Sequence, residues 1–200
     1  MLFSSCTHII IEQVVNAAQI DMASPEGPTL VLITTSLGDI MVEIFRDKAP
    51  ITSENFLRYV DDGLLDGTVF FRTVTMENQP DSDVKIEVVQ GGTTPKDAAY
   101  PSTYHPIEHE TTETTGLSHT DGAVSMARMA PGTATSSFFI CIGDQPELDY
   151  GGKRNPDRQG FAAFGRVRAG RNVVREIHKQ PHEEQRLEPP IEIKSCRRVS

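Results

Sequence analysis

Residues 30–45 read LVLITTSLGDIMVEIF. Two β-rich runs, Leu30 to Thr35 and Asp39 to Phe45, flank Ser36-Leu37-Gly38, a gap that signals a hairpin. Within the second run Ile40, Val42 and Ile44 fall on one face and Met41, Glu43 and Phe45 on the other, the period of two that a strand requires. Moving outward, runs of the same kind recur at Thr68 to Val74, Lys85 to Gln90, Gly122 to Ala127, Ser137 to Ile142, Phe161 to Val167 and Pro190 to Cys196. Eight mainly antiparallel strands close into a barrel just wide enough to be filled by its own side chains. Such a barrel has no open sheet edge and no roomy cavity, so a binding site belongs on its outer wall.

Two helices fit between the strands. Pro50 to Val60 has Thr52 or Ser53 as candidate N-cap, Glu54 in its first turn and Gly63 as a stop. Phe56, Leu57 and Val60 supply its apolar stripe. Asn172 to Lys179 presents Val173, Val174 and Ile177 at core-facing spacing. Both are expected to plug the barrel ends, with Arg58 and Asp61 on solvated faces. The predicted fold class is mainly β: a closed eight-stranded antiparallel β-barrel capped by two α-helices.

Bulk properties limit the function classes. Two hundred residues suffice for one well-buried domain, and 38% hydrophobic content argues against wholesale disorder. The formal net charge of -9 disfavours a nucleic-acid surface and an anionic membrane alike. The Pro/Gly-containing stretch Ala23 to Pro28 divides a flexible extension, residues 1–28, from a domain over residues 29–200. That extension lacks a positively charged start, and Glu12 interrupts its apolar run, which counts against a secretory signal. Cys6, Cys141 and Cys196 form no closely spaced pair, so neither a disulfide framework nor a CxxC site is indicated. Cytoplasmic placement follows, with export the alternative if the N-terminal segment acts as a signal.

The chemistry lies in local motifs. Asp47-Lys48-Ala49-Pro50 with Thr52 and Glu54-Asn55-Phe56, then Phe70-Phe71-Arg72-Thr73-Val74, then Val89-Gln90-Gly91-Gly92, occur in that order. Ser125-Met126-Ala127-Arg128, Ser136-Ser137-Phe138-Phe139-Ile140, Leu148-Asp149 and Phe161-Ala162-Ala163-Phe164-Gly165-Arg166-Val167 follow. From about Leu30 to Val199 this succession resembles the cyclophilin-type peptidyl-prolyl cis-trans isomerases.

The resemblance implies an isomerase that rotates X–Pro bonds in polypeptides and assists folding. No bond is broken, so neither a nucleophile nor an acid–base pair is needed, and no cofactor or metal is called for. It implies Arg72 and Gln90 as catalytic residues, Arg72 stabilising the twisted prolyl amide while Gln90 orients it and holds the substrate backbone. It implies Phe139 as the floor of a proline pocket, with Val88 and Leu148 as walls. Ala127, Arg128, Ser137 and Phe161 complete the substrate-binding set. Arg128 stands where the family more often has asparagine, which raises the idea of a preference for acidic neighbours in the substrate.

Departures from the family pattern are specific. Glu87 and Val88 stand near the usual Phe and Met, Ser137 replaces a glutamine, Phe161 replaces a pocket histidine, and Glu147 aligns with a tryptophan. These keep open an alternative reading, a catalytically weak module that grips proline peptides. The expected partners are proline-containing polypeptides, with weak or no cyclosporin binding, no nucleic acid, no membrane and a monomeric chain. Two polar segments, Thr75 to Val84 and Asp144 to Gly160, extend beyond compact members. His105-Pro106-Ile107-Glu108-His109-Glu110 suggests a metal site by spacing, but Pro106 argues for irregular chain and no cysteine pair completes a ligand set.

Overall fold

The computed structural model describes residues 28–93 and 104–199. Apart from Pro28, the expected N-terminal extension lies outside the described residues, together with Cys6 and the segment weighed as a signal.

The hairpin forms where the alternation places it. Strand β1 (Thr29–Thr35) pairs with β2 (Gly38–Ile44), matching Val31 to Val42 and Ile33 to Ile40. Thr35 ties the turn: its hydroxyl donates to the Gly38 carbonyl at 2.7 Å and accepts from the Leu37 N–H at 3.1 Å. Next come β3 (Val69–Val74), β4 (Val88–Gly92), β5 (Ala123–Met126), β6 (Phe138–Cys141) and β7 (Ala162–Ala169). The two-residue β8 (His182–Glu183) is a flange on the long β9 (Arg186–Val199). Spatial order runs β1-β2-β7-β5-β6-β4-β3-β9, and a β1–β9 pairing shuts the barrel with eight antiparallel strands.

The interior is filled by alternate residues. Val31, Ile33, Ile40, Val42, Val89, Val124, Phe138 and Ile140 are fully enclosed in one apolar cluster. A second, smaller cluster holds Val74, Ile86, Val88, Ala123, Phe139, Cys141 and Leu148 on the outer face of the same strands. Neighbours in sequence thus serve opposite sides of one wall. Cys141 is a buried hydrophobe, its thiol pushed well above the usual range by burial.

The fourth strand begins three residues later than the expected Lys85. The Ile86 backbone is bonded on both sides by the Gln79 amide, which takes the place of a strand neighbour. Gly91 and Gly92 instead continue the ladder.

Helix α1 (Pro50–Asp61) sends Phe56, Leu57 and Val60 into the core, with the Phe56 and Phe138 rings edge to face at 5.4 Å. Neither Thr52 nor Ser53 caps it, because Pro50 already occupies the first turn and Ala49 is the N-cap. A carboxylate from across the chain does the work: Glu110 accepts from the Ile51 and Thr52 N–H groups at 3.2 and 2.7 Å. Arg58 and Asp61 are also engaged rather than merely solvated. The Arg58 guanidinium lies 3.7 Å from the Tyr104 ring centre, and Asp61 pairs with Arg198. A one-turn helix α2 (Thr112–Thr115) follows, and α3 (Arg171–His178) buries Val174 and Ile177. No helix among the described residues is long and apolar enough to cross a membrane.

Candidate active site

A bulge in β3 aims the key arginine. Phe70 points into the barrel, so strict alternation would send Arg72 the same way. The pairing instead steps from Phe70↔Gly91 to Arg72↔Gln90, two residues on β3 against one on β4. The extra residue turns Arg72 to the outer wall, the re-aiming that bulges provide beside functional sites. Gly91 makes this possible, since a Cβ there would sit 2.8 Å from the Phe70 ring. Gly92 has φ +96, and a Cβ there would sit 2.6 Å from the Ser136 carbonyl oxygen, so the pair needs two glycines for two separate reasons.

Register then lines up a row across four strands. Arg72 opposes Gln90, Gln90 opposes Phe139, and Phe139 opposes Ser125. Cross-strand partners share a face, so cation, amide and aromatic ring stand side by side on the outer wall.

Amide side chains hold the arginine. Nη1 donates to Gln90 Oε1 at 2.9 Å, while Nε and Nη2 both donate to Gln185 Oε1 at 2.9 and 2.6 Å. Gln185 is itself fixed, donating through Nε2 to the Asn78 carbonyl at 3.0 Å. A guanidinium has five N–H donors, so one on Nη1 and one on Nη2 remain for a ligand. Burial, with the nearby Arg154 charge, lowers the Arg72 pKa from its ordinary value. Nothing in the sequence marks Gln185, which sits in a polar turn 113 residues from Arg72.

The apolar floor is braced from below. Phe139 meets Phe161 edge to face at 5.3 Å and stacks on the His119 ring at 5.9 Å. His119 Nδ1 lies 2.7 Å from Asp149 Oδ1, and its Nε2 lies 2.9 Å from Ser125 Oγ. Because a carboxylate only accepts, Nδ1 carries the proton toward Asp149. Serine, histidine and aspartate in that order suggest a hydrolase, but Ser125 is fully enclosed and no substrate reaches its hydroxyl. The string is a brace for Phe139. Ser125 and Asp149 stand within quoted motifs, but His119, between Ser118 and Thr120, carries no local mark of its part.

The remaining candidates divide. Val88 and Phe139 lie in the outer cluster with small exposure, and Ala127 and Phe161 pack against it. Leu148 is wholly enclosed in that cluster, with no exposed surface of its own. The Ser137 hydroxyl donates to the Thr93 carbonyl, and the Ser137 carbonyl accepts from Ala127 N–H at 2.9 Å. Arg128 does not offer its charge to a substrate. It grips Asp157 through both terminal nitrogens, at 2.8 and 2.9 Å, and donates to the Gly160 carbonyl. That pairing holds the Asp157 carboxyl down at about 2. The idea of acidic preference through Arg128 is corrected accordingly.

The two long polar segments are clasped together. Arg154 Nη1 lies within 2.6–2.9 Å of Gln79 Oε1, Ser82 Oγ and the Val84 carbonyl. In the His105–Glu110 stretch, His109 bonds the Gln159 carbonyl and Glu110 caps α1. Among the described residues no group of three His, Cys, Asp or Glu is placed to hold a metal ion.

Comparisons with known proteins bear on the fold and the family. The family model for cyclophilin type peptidyl-prolyl cis-trans isomerase/CLD matches residues 30–198. A peptidyl-prolyl cis-trans isomerase of Streptomyces antibioticus is 41% identical over 143 residues, covering 71% of this chain and 78% of that one. Peptidyl-prolyl cis-trans isomerase B of Escherichia coli is 34% identical over 149 residues, covering 74% and 83%. A cyclophilin type isomerase from Cryptosporidium parvum, solved in the presence of the dipeptide Ala-Pro, superposes with TM-score 0.68 at 22% identity, over 86% of this chain and 99% of that one. With the barrel and the motif order, these matches show that the chain is an isomerase and belongs to the cyclophilin-type peptidyl-prolyl cis-trans isomerase family.

Proposed function

We propose that this isomerase rotates X–Pro bonds in proline-containing polypeptides, assists their folding, and does so without covalent chemistry. The observation that carries the mechanism is the anchored Arg72 guanidinium: Gln90 and Gln185 take three of its five N–H groups, one remains on each terminal nitrogen, and Phe139 stands one strand beyond Gln90 on the same face. Uncatalysed X–Pro rotation takes tens to hundreds of seconds because a partial double bond must be broken. As the amide twists, its nitrogen becomes pyramidal and gains a lone pair. A fixed donor reaching that lone pair is useful only in the transition state, which is the condition for raising kcat. Donors of this kind are worth ~2.7–4 kcal/mol, or two to three orders of magnitude in rate.

In this reading Phe139, Val88 and Phe161 hold the pyrrolidine ring, with Ala127, Ser137 and the Arg128 backbone along the adjoining chain. Gln90 orients Arg72 and meets the substrate backbone. The Glu147 carboxylate, at the place of a rim tryptophan, works against cyclosporin. The chain acts as a monomer, and the buried free thiols of Cys141 and Cys196 suit a reducing cytoplasm. An NMR exchange assay on a short Xaa-Pro peptide tests the function. Cis and trans resonances should broaden and exchange at catalytic protein concentration; exchange at the uncatalysed rate, with peptide bound, would favour the weak binding module instead.

A further inference from the structure

Most arginines in the described residues that are held by polar contacts find a carboxylate: Arg128 with Asp157, Arg166 with Glu43, Arg175 with Asp121, Arg197 with Asp66. Two do not. Arg72 is held by the neutral amides of Gln90 and Gln185, and Arg154 by an amide, a hydroxyl and a backbone carbonyl. Among the described residues no carboxylate lies within salt-bridge distance of either. Glu147, the acid next to Arg154 in space, spends its Oε2 on the Lys153 N–H at 2.7 Å.

The two cations are joined through one turn. Arg72 bonds Gln185, and Gln185 bonds the Asn78 carbonyl; the adjacent Gln79 accepts from Arg154. Burial opposes both charges, and the charge on Arg154 acts on Arg72. In a chain of net charge -9, a half-buried pair of cations without a counterion is an unbalanced positive spot. Arg154 is moreover held by Nη1 alone. Its Nε and Nη2, the parallel edge that fits a carboxylate in two-pronged fashion, have no acceptor among the described residues.

We propose that Arg154 is a specificity-determining residue, whose free Nε/Nη2 edge receives the carboxylate of an Asp or Glu side chain within a residue or two of the substrate proline. The inference rests on the isomerase reading above and narrows its substrates to acidic X–Pro segments. It replaces the idea that Arg128 serves this purpose. Arg154 belongs to the polar segment 144–160, which the sequence resemblance marks as longer than in compact family members.

The experiment measures kcat/KM by NMR exchange on blocked peptides Ac-Ala-Xaa-Pro-Yaa-NH2, with Glu or Gln at Xaa and, separately, at Yaa. The parent protein should favour Glu over Gln about five- to tenfold at one of the two positions in low salt. The ratio should fall toward one as NaCl rises from about 50 to 500 mM. In Arg154→Gln the ratio should lie within about twofold of one, Arg154→Lys should keep part of it, and Arg154→Glu should invert it. Using a ratio on a single protein removes any loosening of the 75–86 turn from the readout. Equal rates for Glu and Gln at both positions in the parent, or a ratio untouched by Arg154→Gln, would overturn the inference. Should no peptide be turned over, the isomerase reading fails by itself, and the Glu/Gln affinity ratio from peptide titration still decides the role of Arg154.

Discussion

Arg72 and Gln90 stand directly opposite one another on β3 and β4, and Arg72 Nη1 donates to Gln90 Oε1 at 2.9 Å. The pair exists only because the β3 bulge turns Arg72 away from the core that Phe70 enters. Gln185 closes the other side of the guanidinium, so its plane is fixed before any substrate arrives. A donor set in advance loses little to reorganisation during the reaction, which is where its value lies.

Gln185 is expected to act as a positioning residue. Gln185→Ala should lower kcat about tenfold with KM changed by less than about threefold, since Arg72 is released but the pocket is untouched. Gln185→Glu, which keeps an acceptor, should recover part of the loss. A variant that raised KM with kcat intact would assign Gln185 to binding instead.

Phe139 is expected to serve both packing and binding. It is 5% exposed, between the His119 and Phe161 rings. Phe139→Ala should cost about 3–5 kcal/mol of stability and abolish measurable peptide binding. Phe139→Leu should keep the fold and weaken binding; undiminished peptide affinity in that variant would remove Phe139 from the pocket.

Gly91 should be intolerant of a side chain because of one neighbour. Gly91→Ala should cost about 1–3 kcal/mol, seen as a lower urea midpoint with unchanged slope. Combined with Phe70→Leu, the loss should be less than additive, as the smaller side chain makes room for the Cβ. Additive losses would place the strain elsewhere.

The Arg128–Asp157 pair sets an acid limit. Its folded-state carboxyl titrates at about 2, below the ordinary 3.8, because Arg128 donates to it. A depressed carboxyl stabilises the fold fully above 3.8 and loses that contribution as pH falls toward 2. The pair is partly exposed, so the contribution is about 1 kcal/mol. Asp157→Asn should flatten the stability profile between pH 4 and 2, and an unchanged slope there would show that other carboxyls dominate.

Cyclosporin should inhibit weakly if, as proposed, the Glu147 carboxylate takes the place of a rim tryptophan. Inhibition assays that returned nanomolar potency would contradict this, and Glu147→Trp should increase potency.

The parts of the fold legible in the sequence are those governed by local periodicity. The β2 alternation, the Phe138/Phe139 split between two faces and the apolar stripe of α1 follow from side-chain geometry within a few residues. The start of β4 was not legible, because a glutamine seven residues upstream competes for the Ile86 backbone. Nor was the cap of α1, which comes from Glu110, 58 residues away. At the site, Arg72, Gln90 and Phe139 stand in recognisable motifs. Gln185 and His119 reach it from a turn and a buried position, and their bonds to Arg72, 113 residues away, and to Asp149, 30 residues away, are set by tertiary folding and not by a local period.

The most direct test of the central claim is Arg72→Ala, compared with the parent for both peptide binding and exchange rate on the same Xaa-Pro peptide. The account predicts a fall in catalysed exchange of about 100- to 1,000-fold, with affinity within about tenfold of the parent. Exchange at the parent's rate in the folded variant would contradict it.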